Sequence, residues 1–150
     1  MKILKIRVIF SLFFFLFILT AVINVSGQES YNYYALEYFK KSLEALVIGD
    51  YDGTIANSTQ VLIRDPNSAV TYAIRARAYY EKGNMTRAIE DCNQAIRIDR
   101  NNISAYSIRG NAYIMTGDKT RALRDWQTVL RLNPDNIEAK RNIELAGQTN

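Results

Sequence analysis

Cys92 is the only thiol in a chain of 150 residues that contains no histidine. A lone cysteine forms no internal disulfide. Without an imidazole, the usual general base, the commonest metal ligand and every histidine-containing triad are missing. The carboxylates do not group as an acid–base dyad. Asp91 and Asp125 instead stand four residues after Arg87 and Arg121, a spacing that predicts intrahelical ion pairs worth a few tenths of a kcal/mol. Four Asn-x-Ser/Thr triplets, at Asn24, Asn57, Asn84 and Asn102, are a pattern common by chance and carry no functional reading. No catalytic residue, cofactor or metal site is expected, and the chain reads as something other than an enzyme. Cys92 reads as a small buried hydrophobe.

The formal charge of +4 is uneven along the chain. Lys2, Lys5 and Arg7 precede an uncharged run from Val8 to Gly27. Setting residues 1–27 aside leaves 16 of the 19 basic side chains against all 15 acidic ones, a remainder of +1. Such a balance gives no electrostatic footprint for nucleic acid. The basic start, the apolar run centred on Leu12 to Leu19, and Val25-Ser26-Gly27 form the tripartite pattern of a secretory signal cut after Gly27. A run of about 20 apolar residues also suffices as an uncleaved signal anchor. Either way the basic residues stay in the cytoplasm and the remainder is exported, so the expected location is extracytoplasmic: periplasmic, secreted or membrane-anchored.

Beyond that segment the sequence repeats. Gly49, Gly83 and Gly117 are spaced by 34 residues, as are Tyr38, Tyr72 and Tyr106. Laying 69–102 over 103–136 without gaps gives twelve identities: Tyr72, Ile74, Arg75, Ala78, Tyr79, Gly83, Thr86, Arg87, Ala88, Asp91, Arg97 and Asn102 all recur. A repeat of this length is one supersecondary unit that buries its apolar face only by stacking on its neighbours. Each glycine follows a stretch with helical apolar spacing, where a left-handed cap is needed. Asp52, Thr86 and Thr120 read as N-caps of the second helices, and Asn67, Asn101 and Asp135 as N-caps of the next first helices. The predicted helices are 34–48, 53–64, 68–82, 87–98, 102–116, 121–132 and 136–146.

This pattern closely resembles the tetratricopeptide repeat. The third unit carries the family's signature as Tyr106, Gly110, Tyr113, Gly117, Ala122, Trp126, Val129 and Pro134. The second carries it as Tyr72, Ala76, Tyr79, Gly83, Ala88, Cys92, Ala95 and, in place of proline, Arg100. The first departs at Ala45, Thr54 and Ser58. The resemblance implies an all-α, right-handed superhelix of three helix-turn-helix hairpins, 35–68, 69–102 and 103–136. A lead-in at 28–34 precedes them, and a capping helix with its tail follows at 137–150.

The resemblance further implies a concave groove, lined by the first helix of each hairpin, that binds a peptide or helix of a protein partner. Carried over, the groove residues are Leu36, Phe39, Leu43 and Leu46; then Val70, Ala73, Arg77 and Tyr80; then Ser104, Ser107, Asn111 and Ile114. Arg77 with Asn111 is a candidate pair for orienting a polar backbone or a carboxylate. The clamp with which some members grip acidic chaperone tails is replaced here by Phe39, Leu43, Ile74, Ser104 and Ile108. The expectation is a binding adaptor, touching the membrane only through an uncleaved N-terminal segment. The alternative is a unit of an envelope layer that self-associates through its apolar first hairpin.

Overall fold

The computed structural model describes residues 33–148, and among these every regular element is an α-helix. The expected signal or anchor over 1–27 lies outside the described residues. The described residues form seven helices in order: α1 (33–47), α2 (Tyr51–Arg64), α3 (Ala69–Glu81), α4 (Met85–Ile98), α5 (Ile103–Met115), α6 (Lys119–Leu132) and α7 (Ile137–Gln148). Each expected helix is present with ends within two residues.

The hairpin turns are set by glycine. Gly49, Gly83 and Gly117 have φ of +77°, +76° and +82°, a region that side-chain-bearing residues enter at a cost. In the middle turn, Gly83 N–H donates to the Tyr80 carbonyl at 2.9 Å and Asn84 N–H to the Tyr79 carbonyl at 2.8 Å. These two bonds form a Schellman closure, which satisfies the last carbonyls of α3. Gly49 with Asp50, and Gly117 with Asp118, repeat it.

The same closure corrects the N-cap assignment. Helices α2, α4 and α6 are capped by Asp50, Asn84 and Asp118, immediately after the glycines, rather than by Asp52, Thr86 and Thr120. One residue ends the first helix with its N–H and starts the second with its side chain, so the turn is shorter than expected. Between hairpins the caps are Ser68 and Asn102, with Asn136 oxygen accepting from Ala139 N–H at 2.8 Å. Asn67, Asn101 and Asp135 lie one residue too early; the N–H groups of Asn67 and Asn101 instead bond Asp65 and Asp99.

Small side chains let the helices approach. Ala76, Ala78, Ala88, Ala95, Ala105, Ala112 and Ala122 are all fully buried. At Gly110 the approach of α5 to α6 leaves no room for a side chain: an added Cβ would lie 2.7 Å from Trp126 Nε1. One repeat earlier the corresponding residues, Ala76 and Cys92, share one core cluster. The hairpins thus trade volume across a fixed gap, with a bulky residue opposite none and a modest one opposite a methyl. Burial pushes the Cys92 thiol well above its ordinary value.

The expected ion pairs within helices are replaced by pairs between them. Asp91 is bonded by Arg75 and Asp125 by Arg109, each through two nitrogens at 2.7 to 2.8 Å. The carboxylates face the hairpin interior, with side chains only 8% and 7% exposed. Arg87 and Arg121 point outward, over the rings of Tyr79 and Tyr113.

Candidate functional site

Repetition at 34 residues puts the same face of α1, α3 and α5 on one side of the superhelix, and α7 continues the series. Two adjoining hollows lie along that side. The first, about 390 Å³, is lined by Leu46 of α1, by Val70, Ala73, Ile74 and Arg77 of α3, and by Ser104, Ser107, Ile108 and Asn111 of α5. Asn102, Ile103, Asn136 and Glu138 complete it. The second, about 380 Å³, is lined by Tyr80, Asn111, Ile114 and Trp126, with Glu138, Asn142, Leu145 and Ala146 of α7. Asn111 and Glu138 belong to both, so the hollows are two halves of one groove.

Of the twelve groove residues read from the sequence, Leu46, Val70, Ala73, Arg77, Tyr80, Ser104, Ser107, Asn111 and Ile114 line these hollows. Leu36, Phe39 and Leu43 do not. They lie on α1 beside Leu46, with Leu36 68% exposed, Leu43 39% exposed and Phe39 half-buried. They extend the apolar wall outward beyond the enclosed part.

Arg77 and Asn111 do not act as a free pair. Arg77 Nε donates to Glu81 at 2.6 Å, four residues on. Asn111 is a hub: its oxygen accepts from Trp126 Nε1 and from Asn142 Nδ2, both at 3.1 Å, and its Nδ2 donates to Glu138 Oε1 at 3.2 Å. The amide thus spends its bonds tying α5 to α6 and α7, and it fixes where the Glu138 carboxylate sits. Sequence reasoning missed Glu138, Asn142 and Leu145 as groove residues. The signal was one more 34-residue step, which carries Ser104 to Glu138, Ile108 to Asn142 and Asn111 to Leu145.

Among the described residues, no cluster of three or more His, Cys, Asp or Glu side chains is placed to hold a metal ion. No described helix is long and apolar enough to cross a membrane.

Stacked helical hairpins with a concave lining define a right-handed helical-repeat solenoid. Family models described as "TPR repeat" and "Tetratricopeptide repeat" match residues 76–117 and 103–136. The first TPR of Spaghetti (RPAP3), bound to the HSP90 peptide SRMEEVD, is 32% identical with a TM-score of 0.74. That similarity covers 76% of this chain and 90% of that one. The second TPR domain of human RPAP3, in complex with the HSP70 peptide SGPTIEEVD, is 28% identical at a TM-score of 0.74, covering 79% and 98%. The Arabidopsis OM64 TPR domain is 25% identical at 0.75, covering 77% and 96%. No curated protein matches the chain by sequence. The chain belongs to the tetratricopeptide repeat family.

Proposed function

We propose that this protein is a non-enzymatic interaction module that works outside the cytoplasm and holds a peptide or helix of a protein partner in its concave groove. The observation that carries the reading is the groove itself, open along α3, α5 and α7 and continued by the apolar face of α1. A contiguous apolar surface facing solvent marks an interaction site. Two of the structural relatives hold peptides on the same fold. The extracytoplasmic setting rests on the basic start and the uncharged run to Gly27. The segment up to Gly27 either leaves the mature chain or tethers it to the membrane.

Self-association by stacking on α1 finds less support. Lys41 occupies the register of Arg75, which reaches back to Thr59 of the preceding hairpin. That edge of α1 carries Glu37, Lys40, Lys41 and Glu44, paired with one another and exposed. Charged edges favour water over a second copy.

The test is a crosslinking pull-down from the native compartment with the intact chain, beside Phe39→Glu and Leu43→Glu. The expected result is a captured protein that both substitutions release while helicity by circular dichroism is unchanged. Capture that survives both changes rejects the groove assignment. The mature N-terminus from the same material reports cleavage at Gly27.

A further inference from the structure

We infer that the groove selects a segment in which a lysine or arginine is flanked on both sides by apolar side chains; the inference rests on the interaction reading above and specifies its ligand. The two hollows are apolar at their outer ends. Leu46, Val70, Ala73 and Ile74 form one, and Tyr80, Ile114, Leu145 and Ala146 form the other. Between them lies the polar bridge of Asn111 and Glu138, shared by both. Asn111 Nδ2 donates to one carboxylate oxygen of Glu138 at 3.2 Å, and among the described residues the other oxygen takes no hydrogen bond. Among the described residues Glu138 makes no ion pair, whereas the groove's cation, Arg77, is neutralised by Glu81 at 2.6 Å. The groove therefore presents one net negative charge at its waist.

A carboxylate held by a neighbouring donor is partly preorganised, which lowers the ordering cost on the protein's side. Glu138 is exposed, so this attraction orients the segment, while the apolar side chains on either side supply the burial. An acidic segment meets the opposite: repulsion from Glu138, with Phe39, Leu43, Ile74, Ser104 and Ile108 offering it no cationic partner. The acidic EEVD-ended peptides held by the two RPAP3 structures are thus the wrong sign for this groove.

The experiment is fluorescence anisotropy of the intact chain against labelled peptides. Each carries one lysine between two leucines, at separations from one to four residues, and has a twin with glutamate in place of lysine. SRMEEVD is the acidic control. The expected result is that at least one lysine peptide binds, its glutamate twin binds about tenfold more weakly or worse, and SRMEEVD does not bind. Glu138→Gln erases the lysine preference and Glu138→Lys reverses it; both lie at an exposed position, so the fold is kept. Equal binding of the twins, a preference untouched by Glu138→Gln, or no binding by any lysine peptide overturns the inference. A partner still captured in the pull-down, and released by Phe39→Glu, then leaves the interaction reading standing without this specificity. Loss of both results removes the two together.

Discussion

Arg75 and Asp91 lie 16 residues apart and meet as a fork: Nε and Nη2 each donate to one carboxylate oxygen at 2.8 Å. The remaining nitrogen, Nη1, reaches Thr59 of the preceding hairpin at 3.0 Å. Arg109 repeats the arrangement with Asp125 and, through Nη1 at 2.6 Å, with Asn93. Each arginine therefore ties the two helices of its own hairpin and the second helix of the one before.

Removing one partner leaves the other charge poorly solvated. Asp125→Asn or Arg109→Met is expected to destabilise the fold by about 3 kcal/mol, lowering the melting temperature by about 10–20 °C. Thermal denaturation followed by circular dichroism checks this. A change of only a degree or two refutes the bracing role.

Gly110 and Trp126 form a volume pair. Gly110→Ala places a methyl against the indole and is expected to cost about 1–3 kcal/mol. Trp126→Phe in the same chain makes room for that methyl. The double variant should therefore be more stable than the summed single changes imply, a coupling read from urea unfolding.

Ser58 is fully buried and its hydroxyl has no hydrogen-bond partner among the described residues. Ser58→Ala removes an unsatisfied group without leaving a large void. It should leave stability unchanged or raise it by up to about 1 kcal/mol, as measured by the urea midpoint.

Cys92 should resist thiol reagents in the folded protein. Burial disfavours its thiolate, which is the reactive form. Labelling by Ellman's reagent is expected to follow global unfolding; fast labelling under native conditions would contradict the buried position.

Asp118 carries a modest acid sensitivity. The Arg121 backbone N–H, and then its guanidinium, hold the Asp118 carboxyl below its ordinary value of 3.8. The folded state thus gains stability above that pH and loses it as pH falls below, when the folded group takes up its proton. Asp118→Asn keeps a capping oxygen and should flatten that part of the acid-stability profile.

Much of this architecture was legible because repetition makes local signals agree. A glycine at 49, 83 and 117 has one physical explanation, the left-handed cap, and the structure has that conformation at all three. N-caps were misplaced because Ser, Thr, Asp and Asn cluster at every turn. The closure at Gly83 and Asn84, a matter of backbone geometry, decides among them. The Arg87–Asp91 spacing invited a helix-surface pair. Asp91 instead faces inward, where Arg75 meets it through tertiary packing that no local spacing reports. The groove was legible in part: Leu46, Arg77 and Asn111 follow from register, whereas Glu138 lay hidden in a helix read only as a cap.

The brace is not shared by all three hairpins. Where the second and third have arginine and aspartate, the first has Lys41 and Asn57, and these turn to Glu37 and to the Gly53 carbonyl of their own helices. The Arg–Asp staple therefore holds two hairpins, and in the first the contact between helices is instead that of the Arg64 guanidinium, 4.9 Å over the Tyr38 ring. A parting of α1 and α2 breaks none of the four Arg–Asp bonds of the later hairpins. The end without that brace also carries Phe39 and Leu43, so the apolar face and the arginine staples sit at opposite ends of the domain.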